Sequence, residues 1–308
     1  STSAEGPCGW DRKRHVVLVG DHRQLGPVVI TNNAILETSM FERLAFQHRP
    51  QLLRIQYRMH PLIRQFPSDH FYDGRLEDEY RPQRPKPLQF IAPQSCCLAY
   101  ETQSVPASPM TPPASVPATS TATPTLFCHI SGCEERGSAL EGTAVRSLFN
   151  RTEAEKVVVI VQAMLQHGIS LETQSLAVIT PYKEQVELIK AMLQSAALPE
   201  AEVGTIFSMQ GSERDYVVCS WVRSRQTIKA EGSEEADSAR LLGFLTNDRH
   251  VNVALTRARH GLVCVGDIQT LRHTATFSAL LQYYSQRHWL VTAEKWPTET
   301  PFAVWDRP

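Results

Sequence analysis

Leu176-Ala177-Val178-Ile179-Thr180-Pro181-Tyr182-Lys183-Glu184-Gln185-Val186-Glu187-Leu188-Ile189-Lys190-Ala191-Met192-Leu193 is the stretch that decides the fold class. Leu176 to Thr180 is a short unbroken apolar run without alternation, the pattern of a strand buried on both faces of a sheet. Pro181 interrupts it, and Lys183 to Ala196 then carries Val186, Ile189, Met192 and Leu193 along one stripe, which predicts an amphipathic helix. The same succession extends outward. His15 to Val19, Leu126 to Ile130, Tyr216 to Val222 and Leu262 to Val265 read as further buried strands. Glu153 to Gln166 reads as a helix, with Val157, Val158, Val161, Met164 and Leu165 as its apolar positions, Thr152 as N-cap and Gly168 as stop. Phe277 to Tyr284 supplies another helix. The alternation predicts an α/β fold, a mostly parallel sheet with helices on both faces.

The 308 residues carry 31 Lys plus Arg against 32 Asp plus Glu, a formal net charge of −1, which excludes a uniformly basic nucleic-acid coat protein. A hydrophobic content of 42% suffices for buried cores in about two domains and argues against wholesale disorder. No run of apolar residues is long enough to span a bilayer, and the first residues lack the pattern of a signal peptide, so no membrane is expected. The start at Ser1, close before an apolar strand, suggests a piece of a longer chain. Cys8, Cys96, Cys97, Cys128, Cys133, Cys219 and Cys264 contain no CxxC pair, so neither a disulfide framework nor a metal site is expected. Gln103 to Thr125 is uncharged and holds Pro106, Pro109, Pro112, Pro113, Pro117 and Pro124 among Ser and Thr, which predicts a flexible insertion.

Polar islands punctuate this framework. Gly20-Asp21-His22-Arg23-Gln24-Leu25-Gly26-Pro27 follows the first strand, where the amide of Gln24 can orient a water or sense a phosphate, or simply close a turn. Gln56-Tyr57-Arg58-Met59-His60-Pro61 pairs a flat ring with a permanently charged fork, suited to a base and a phosphate. Thr180, Pro181 and Tyr182 end a strand, where hydroxyls and an exposed ring can hold a nucleic-acid backbone and base. Val203 to Asp215 places Gln210, Gly211 and Glu213 in a turn between strands, where glycine permits close backbone approach. Asn252 to Arg259 reads as a helix whose Arg257 and Arg259, two positions apart, cannot share a face.

In this order the strings GDHRQLGPVV, MFERL, QYRMHP, FPSDHFYDGRL, NRTEA, ITPY and GFLTNDRHVNVALTRARHGLVCVGD resemble those of superfamily 1 helicases of the up-frameshift, nonsense-decay type. Six specified residues such as QYRMHP recur by chance in roughly one of tens of millions of windows. The resemblance spans Val16 to Tyr284 apart from the insertion. It implies a RecA-like P-loop NTPase fold: a remnant of a first RecA-like domain over 1–50, a second over 51–292 with the insertion at 103–125, and a tail over 293–308.

It also implies an ATP-driven motor on single-stranded RNA or DNA, stepping 5′ to 3′. Gln24, Arg58 and Arg257 take catalytic places at the γ-phosphate. Asp21, Tyr57, Gln210, Gly211 and Glu213 take nucleotide-binding places, Tyr57 stacking on adenine. Thr180, Pro181 and Tyr182 face the strand, and Arg259 pairs within the protein. RNA-decay factors are the implied partners and the cytoplasm the implied compartment, with the nucleus as alternative. Two departures stand out. Phe207, Ser208 and Met209 occupy places where the family carries an acidic residue, a small residue and Phe, so the coupling carboxylate is lost. Neither GxxxxGK[ST] nor a DEAx string occurs in these residues, so ATP and Mg²⁺ are expected to be held mainly by an absent part of the first domain, and the isolated chain is expected to be inactive. The competing reading is a nucleic-acid-binding scaffold whose ATPase has decayed.

Overall fold

The computed structural model describes residues 16–27, 29, 36, 38–48, 50–79, 88–100, 122–137, 147–198, 201–224, 242–297 and 301–304. Two compact units divide the chain, residues 1–52 and 53–308.

In the first unit α1 (Met40–Gln47) begins at Ser39, whose hydroxyl accepts from the Glu42 amide at 3.1 Å. Val16 to Val19, read above as a buried strand, form none. These side chains are 76%, 84%, 37% and 89% exposed. The reason is that strand conformation is held by lateral hydrogen bonds, and no described residue pairs with this run.

The second unit runs β1 (Ile55–Gln56), α2 (Pro61–Phe71), β2 (Glu77–Asp78), β3 (Leu88–Ile91), β4 (Ala122–Thr123), β5 (Thr125–His129), β6 (Glu135–Arg136), β7 (Leu148–Phe149), α3 (Arg151–Gln166), β8 (Leu176–Thr180), α4 (Lys183–Ser195), β9 (Glu202–Thr205), β10 (Arg214–Ser220), α5 (Asp248–Leu255), β11 (Ala258–Gly266), α6 (Ile268–Leu271), α7 (Ala275–Gln286), β12 (Leu290–Thr292) and β13 (Phe302–Val304). Six strands form one sheet in the order β12-β5-β11-β10-β8-β9, every neighbouring pair parallel. This is the mostly parallel α/β architecture that the alternation predicts, and it agrees with the RecA-like fold that the resemblance implies. Crossovers in parallel sheets are right-handed, so α3 and α4, which lead toward the β9 edge, cover one face, while α5 and α7, which lead toward β12, cover the other. Covered on both sides, β8 is buried along its whole length, which is why it reads as a continuous apolar run.

The predicted elements shift in places. Asn150 rather than Thr152 caps α3, its Oδ1 accepting from the Glu153 amide at 3.1 Å, and Thr152 lies inside the first turn. The stretch read as one helix from Asn252 to Arg259 stops at Leu255. There the Thr256 hydroxyl donates to the Asn252 carbonyl at 2.8 Å and Arg257 Nε to the Val253 carbonyl at 3.0 Å. These bonds take up the carbonyls of the last turn, and β11 starts at Ala258. The proline-rich tract lies mostly outside the described residues, which take up its last four, Ala122 to Thr125. Ala122 and Thr123 pair with β3, and Thr125 opens β5 because Thr123 Oγ1 donates to the Thr125 carbonyl at 2.9 Å. A three-stranded antiparallel sheet, β13-β3-β4, had no counterpart in the expected alternation. Among the described residues no helix is long and apolar enough to cross a membrane.

Gly261 marks the tightest approach within the main sheet. It stands in register with Tyr216, and a Cβ there would lie 2.5 Å from Tyr216 Cδ1 and 3.0 Å from Phe90 Cζ. Gly261→Ala is expected to cost about 1–3 kcal/mol by overpacking, read as a lowered unfolding midpoint, whereas alanine on the exposed face of α4, such as Ser195→Ala, changes stability by no more than about 0.5 kcal/mol.

Candidate functional site

The predicted site residues of the second unit fall at opposite ends of the parallel sheet. Glu213 and Arg257 directly precede β10 and β11, at their amino ends, and Arg58 reaches Glu213 and the Thr256 carbonyl from the turn before α2. That turn is organised by Gln56. Its Oε1 accepts from the amides of Arg58 at 2.9 Å and Met59 at 2.7 Å, and its Nε2 donates to the Met59 carbonyl and to Asp78, each at 2.7 Å. Tyr57, at the apex, is 68% exposed. The His60 amide donates to the Arg259 carbonyl at 2.8 Å, tying the turn to β11.

Arg58 is fixed by two bonds, Nε to Glu213 Oε2 at 2.6 Å and Nη1 to the Thr256 carbonyl at 2.9 Å. No other residue described here takes its Nη2, so this half-buried guanidinium holds one oriented donor in reserve. Arg259 Nε donates to Glu213 Oε1 at 2.9 Å and its Nη2 reaches the same oxygen, while Nη1 stands 3.6 Å from Asp215 Oδ1. One carboxylate thus lies between two guanidinium groups. Burial alone would raise the Glu213 pKa, but hydrogen bonds and charge from Arg58 and Arg259 outweigh it and leave the carboxyl below its ordinary range. Arg257 is 2% exposed. Its Nε, Nη1 and Nη2 donate to the Val253 carbonyl, the Ser212 carbonyl at 3.0 Å and Thr256 Oγ1 at 3.1 Å. Arg257 and Arg259 therefore do separate jobs, from a turn and a strand rather than from one helix. Gln210 and Gly211 are exposed in the approach to Glu213, and Gly211 adopts φ 80°, a left-handed conformation that favours glycine.

Thr180, Pro181 and Tyr182 sit at the other end, about 20 Å away along a strand of this length. All three are buried, Thr180 completely and Tyr182 at 7% exposure, so the exposed ring expected at Tyr182 is not there. The reason is a buried network at the carboxyl edge. Arg223 grips Glu134 through Nε at 2.7 Å and Nη2 at 3.2 Å and donates through Nη1 to the Tyr182 hydroxyl at 3.4 Å. Beside it Glu153 Oε1 accepts from Ser220 Oγ at 2.8 Å and from the Val222 amide at 2.9 Å. Asn150 Nδ2 donates to the Val222 carbonyl at 3.1 Å. Val222 is held at φ 71°, a strained conformation for a β-branched residue that these bonds on both sides of it maintain. Burial pushes the Glu153 carboxyl up to about 7, against the lowering effect of its hydrogen bonds from Val222, Ser220 and Trp221.

In the first unit, Gln24 Nε2 donates to Asp21 Oδ2 at 2.9 Å, and the Arg23 amide donates to Asp21 Oδ1 at 2.9 Å. Asp21 thereby orients the amide that the sequence singles out. Among the described residues no three His, Cys, Asp or Glu side chains gather where they could hold a metal ion.

With this geometry in view, the AAA domain family profile matches residues 36–269. The chain belongs to this family. Within it the chain is of the superfamily 1, up-frameshift type. "Regulator of nonsense transcripts 1" of Caenorhabditis elegans is 33% identical over 297 residues, covering 90% of this chain and 23% of that protein. "ATP-dependent helicase NAM7" of Saccharomyces cerevisiae is 32% identical over 288 residues, covering 90% and 25%. "DNA polymerase alpha-associated DNA helicase A" of Schizosaccharomyces pombe is 31% identical over 268 residues, covering 85% and 35%. The chain thus spans about a quarter to a third of the length of these family members.

The sequence left Arg259 without a ligand-directed role and did not mark Asp215, Arg223 or Glu134 as a network. Ion pairs between residues far apart in sequence have no local signature. Glu153 was visible only as a helix residue, although an acidic side chain three positions after a capping Asn ordinarily turns back to the cap amide. Here the Asn150 amide donates instead to Gln185 Oε1 at 2.8 Å, which releases Glu153 into the core.

The two carboxylates predict opposite pH responses. Glu213, lowered on folding, adds stability that is present above the ordinary carboxylate range and lost as pH falls through its folded value. Glu153, raised on folding, binds its proton more tightly in the native state, so stability falls as pH rises from about 4.5 to about 7. Glu153→Gln is expected to flatten the loss between pH 4.5 and 7, and Glu213→Gln the loss on the acid side, in unfolding midpoints measured across pH.

Proposed function

We propose that this chain supplies the second motor domain of an ATP-dependent helicase that steps 5′ to 3′ along single-stranded RNA or DNA in RNA surveillance, in the cytoplasm and with RNA-decay factors as partners. The observation that carries this reading is Arg58. Its guanidinium is locked by Glu213 and the Thr256 carbonyl, yet keeps Nη2 for an anion, beside the exposed ring of Tyr57. A preset donor next to a flat ring fits a phosphate and a base of one nucleotide. Tyr57 would take the adenine, Arg58 the γ-phosphate, and Gln210, Gly211 and Glu213 the neighbouring nucleotide surface. ATP supplies a phosphoanhydride whose cleavage drives the stepping. Gln24, oriented by Asp21, would contact the attacking water. Among the described residues no cluster of carboxylates fits a Mg²⁺ ion, which the resemblance assigns to the first domain.

A second reading, a nucleic-acid-binding scaffold with a decayed ATPase, draws on Arg257, whose guanidinium donates to three acceptors of its own chain.

ATP turnover by the full-length protein with and without single-stranded RNA or DNA separates the two. The motor reading expects strand-stimulated turnover that falls at least about 100-fold in Arg58→Ala, far more than the modest drop in unfolding midpoint, about 1 kcal/mol or less, that loss of the partly exposed Glu213 pair causes. Strand binding without turnover in the parent protein establishes the scaffold. Arg257→Ala is expected to lower the unfolding midpoint together with turnover, because it removes a side chain that closes the end of α5.

A further inference from the structure

We infer that Phe207 and Phe244 form a base-stacking platform for single-stranded nucleic acid at the carboxyl edge of the sheet, where the buried Tyr182 cannot serve. The inference rests on the nucleic-acid reading above and names the side chains that meet the bases.

Phe207 and Phe244 are 41% and 52% exposed, although each is anchored. The Ile206 amide donates to the Thr180 carbonyl at 3.1 Å, which seats the Phe207 turn directly on the end of β8. The Gln210 amide donates to the Phe207 carbonyl at 3.2 Å, and the Ser208 amide to Thr205 Oγ1 at 3.2 Å. Phe244 stands in a 3₁₀ turn, Gly243–Thr246, closed by the Asn247 amide on the Phe244 carbonyl at 3.2 Å. Both rings rest on one buried ring. His250 meets Phe207 edge-on at 5.0 Å and 77°, and Phe244 at 5.9 Å and 50°. Tyr182 also lies against Phe244, with ring centroids 6.1 Å apart. Two phenylalanines held on rigid turns, each packed on the inside and wet on the outside, keep a π-face available with little ordering left to lose on binding.

The charges nearby suit a phosphate backbone. Lys183 is exposed next to Tyr182, and Arg249 is partly exposed next to His250. The nearby acid Asp248 is engaged by the Thr276 hydroxyl. Phenyl rings carry no hydrogen-bonding groups, so the expected ligand is a single strand read without base preference. An apolar protein partner would offer nothing to the exposed ammonium of Lys183. Met209, two residues on, is 2% exposed and fills the interior, so of these two large apolar side chains it is Phe207 that is turned outward.

The test compares the full-length protein with Phe207→Ala, Phe244→Ala and the double variant, titrated with single-stranded RNA and DNA carrying 2-aminopurine and with an abasic oligonucleotide of equal length. Each single variant should weaken binding about fivefold or more and reduce the quenching that reports stacking. The parent should bind the abasic strand more weakly than the base-bearing one, and the double variant should lose that distinction. Phe207→Tyr and Phe244→Tyr should restore both. A double variant that binds and discriminates like the parent overturns the inference alone. A parent that binds neither strand overturns the nucleic-acid reading with it.

Discussion

A parallel strand buried on both faces can offer chemistry only at its ends. Between those ends every backbone group of β8, β10 and β11 is committed to the ladder and every side chain to the packing against helices on either side. The six-stranded sheet therefore confines polar residues to two rims. The amino rim receives the turns that precede β10 and β11, and the carboxyl rim receives those that follow β5, β8 and β10. Everything functional in the second unit follows from this separation. The guanidinium cluster of Arg58, Arg257 and Arg259 belongs to one rim, and the aromatic pair of Phe207 and Phe244 to the other. The turn after β9 crosses between them and links Phe207 to Glu213 within a few residues.

The two rims handle charge differently because they differ in access to water. At the amino rim Glu213 is about a third exposed and shared between two arginines, so its charged form is favoured despite partial burial. Solvent screening keeps such pairs modest in stability, and their value lies in orientation: Glu213 sets the plane of Arg58 and leaves one of its donors available. At the carboxyl rim Glu153 is wholly enclosed, and burial outweighs its hydrogen bonds. That carboxyl instead joins α3 to the end of β10 and holds the strained Val222, so the chain leaves the sheet with Arg223 directed at Glu134. Two glutamates of the same composition thus serve opposite ends, one poised and one structural.

The family departures gain meaning in this setting. Ser208 and Met209 are accommodated without disturbance. Met209 is buried beside Gly204, where a Cβ would lie 2.8 Å from Met209 Cε, so the flexible side chain fills the space that the glycine leaves. Phe207, by contrast, stands on the outside of the turn, at a place where the resemblance implies an acidic residue, and presents an exposed ring at the carboxyl rim.

Much of this architecture was legible in the sequence. Leu176 to Thr180 was read with its observed bounds, because five consecutive apolar or small residues ended by proline fit a doubly covered strand and little else. Lys183 to Ala196 was nearly as clear, its apolar stripe repeating at helical spacing. Val16 to Val19 carried the same signal and failed, because hydrophobicity shows that a segment seeks burial and not whether a neighbouring strand is present. Asn252 to Arg259 failed for another reason: Thr256 and Arg257 end the helix through their side chains, which propensity does not register. The sequence by itself determined the class of the fold, the order of its elements and which polar residues needed explanation. Only the tertiary structure decided which of those residues meet. Arg58 and Glu213 are separated by 155 positions, about half of the chain, and Tyr182 is covered by an arginine from another strand end; such pairings depend on strand order and on burial, quantities that no local pattern of residues contains.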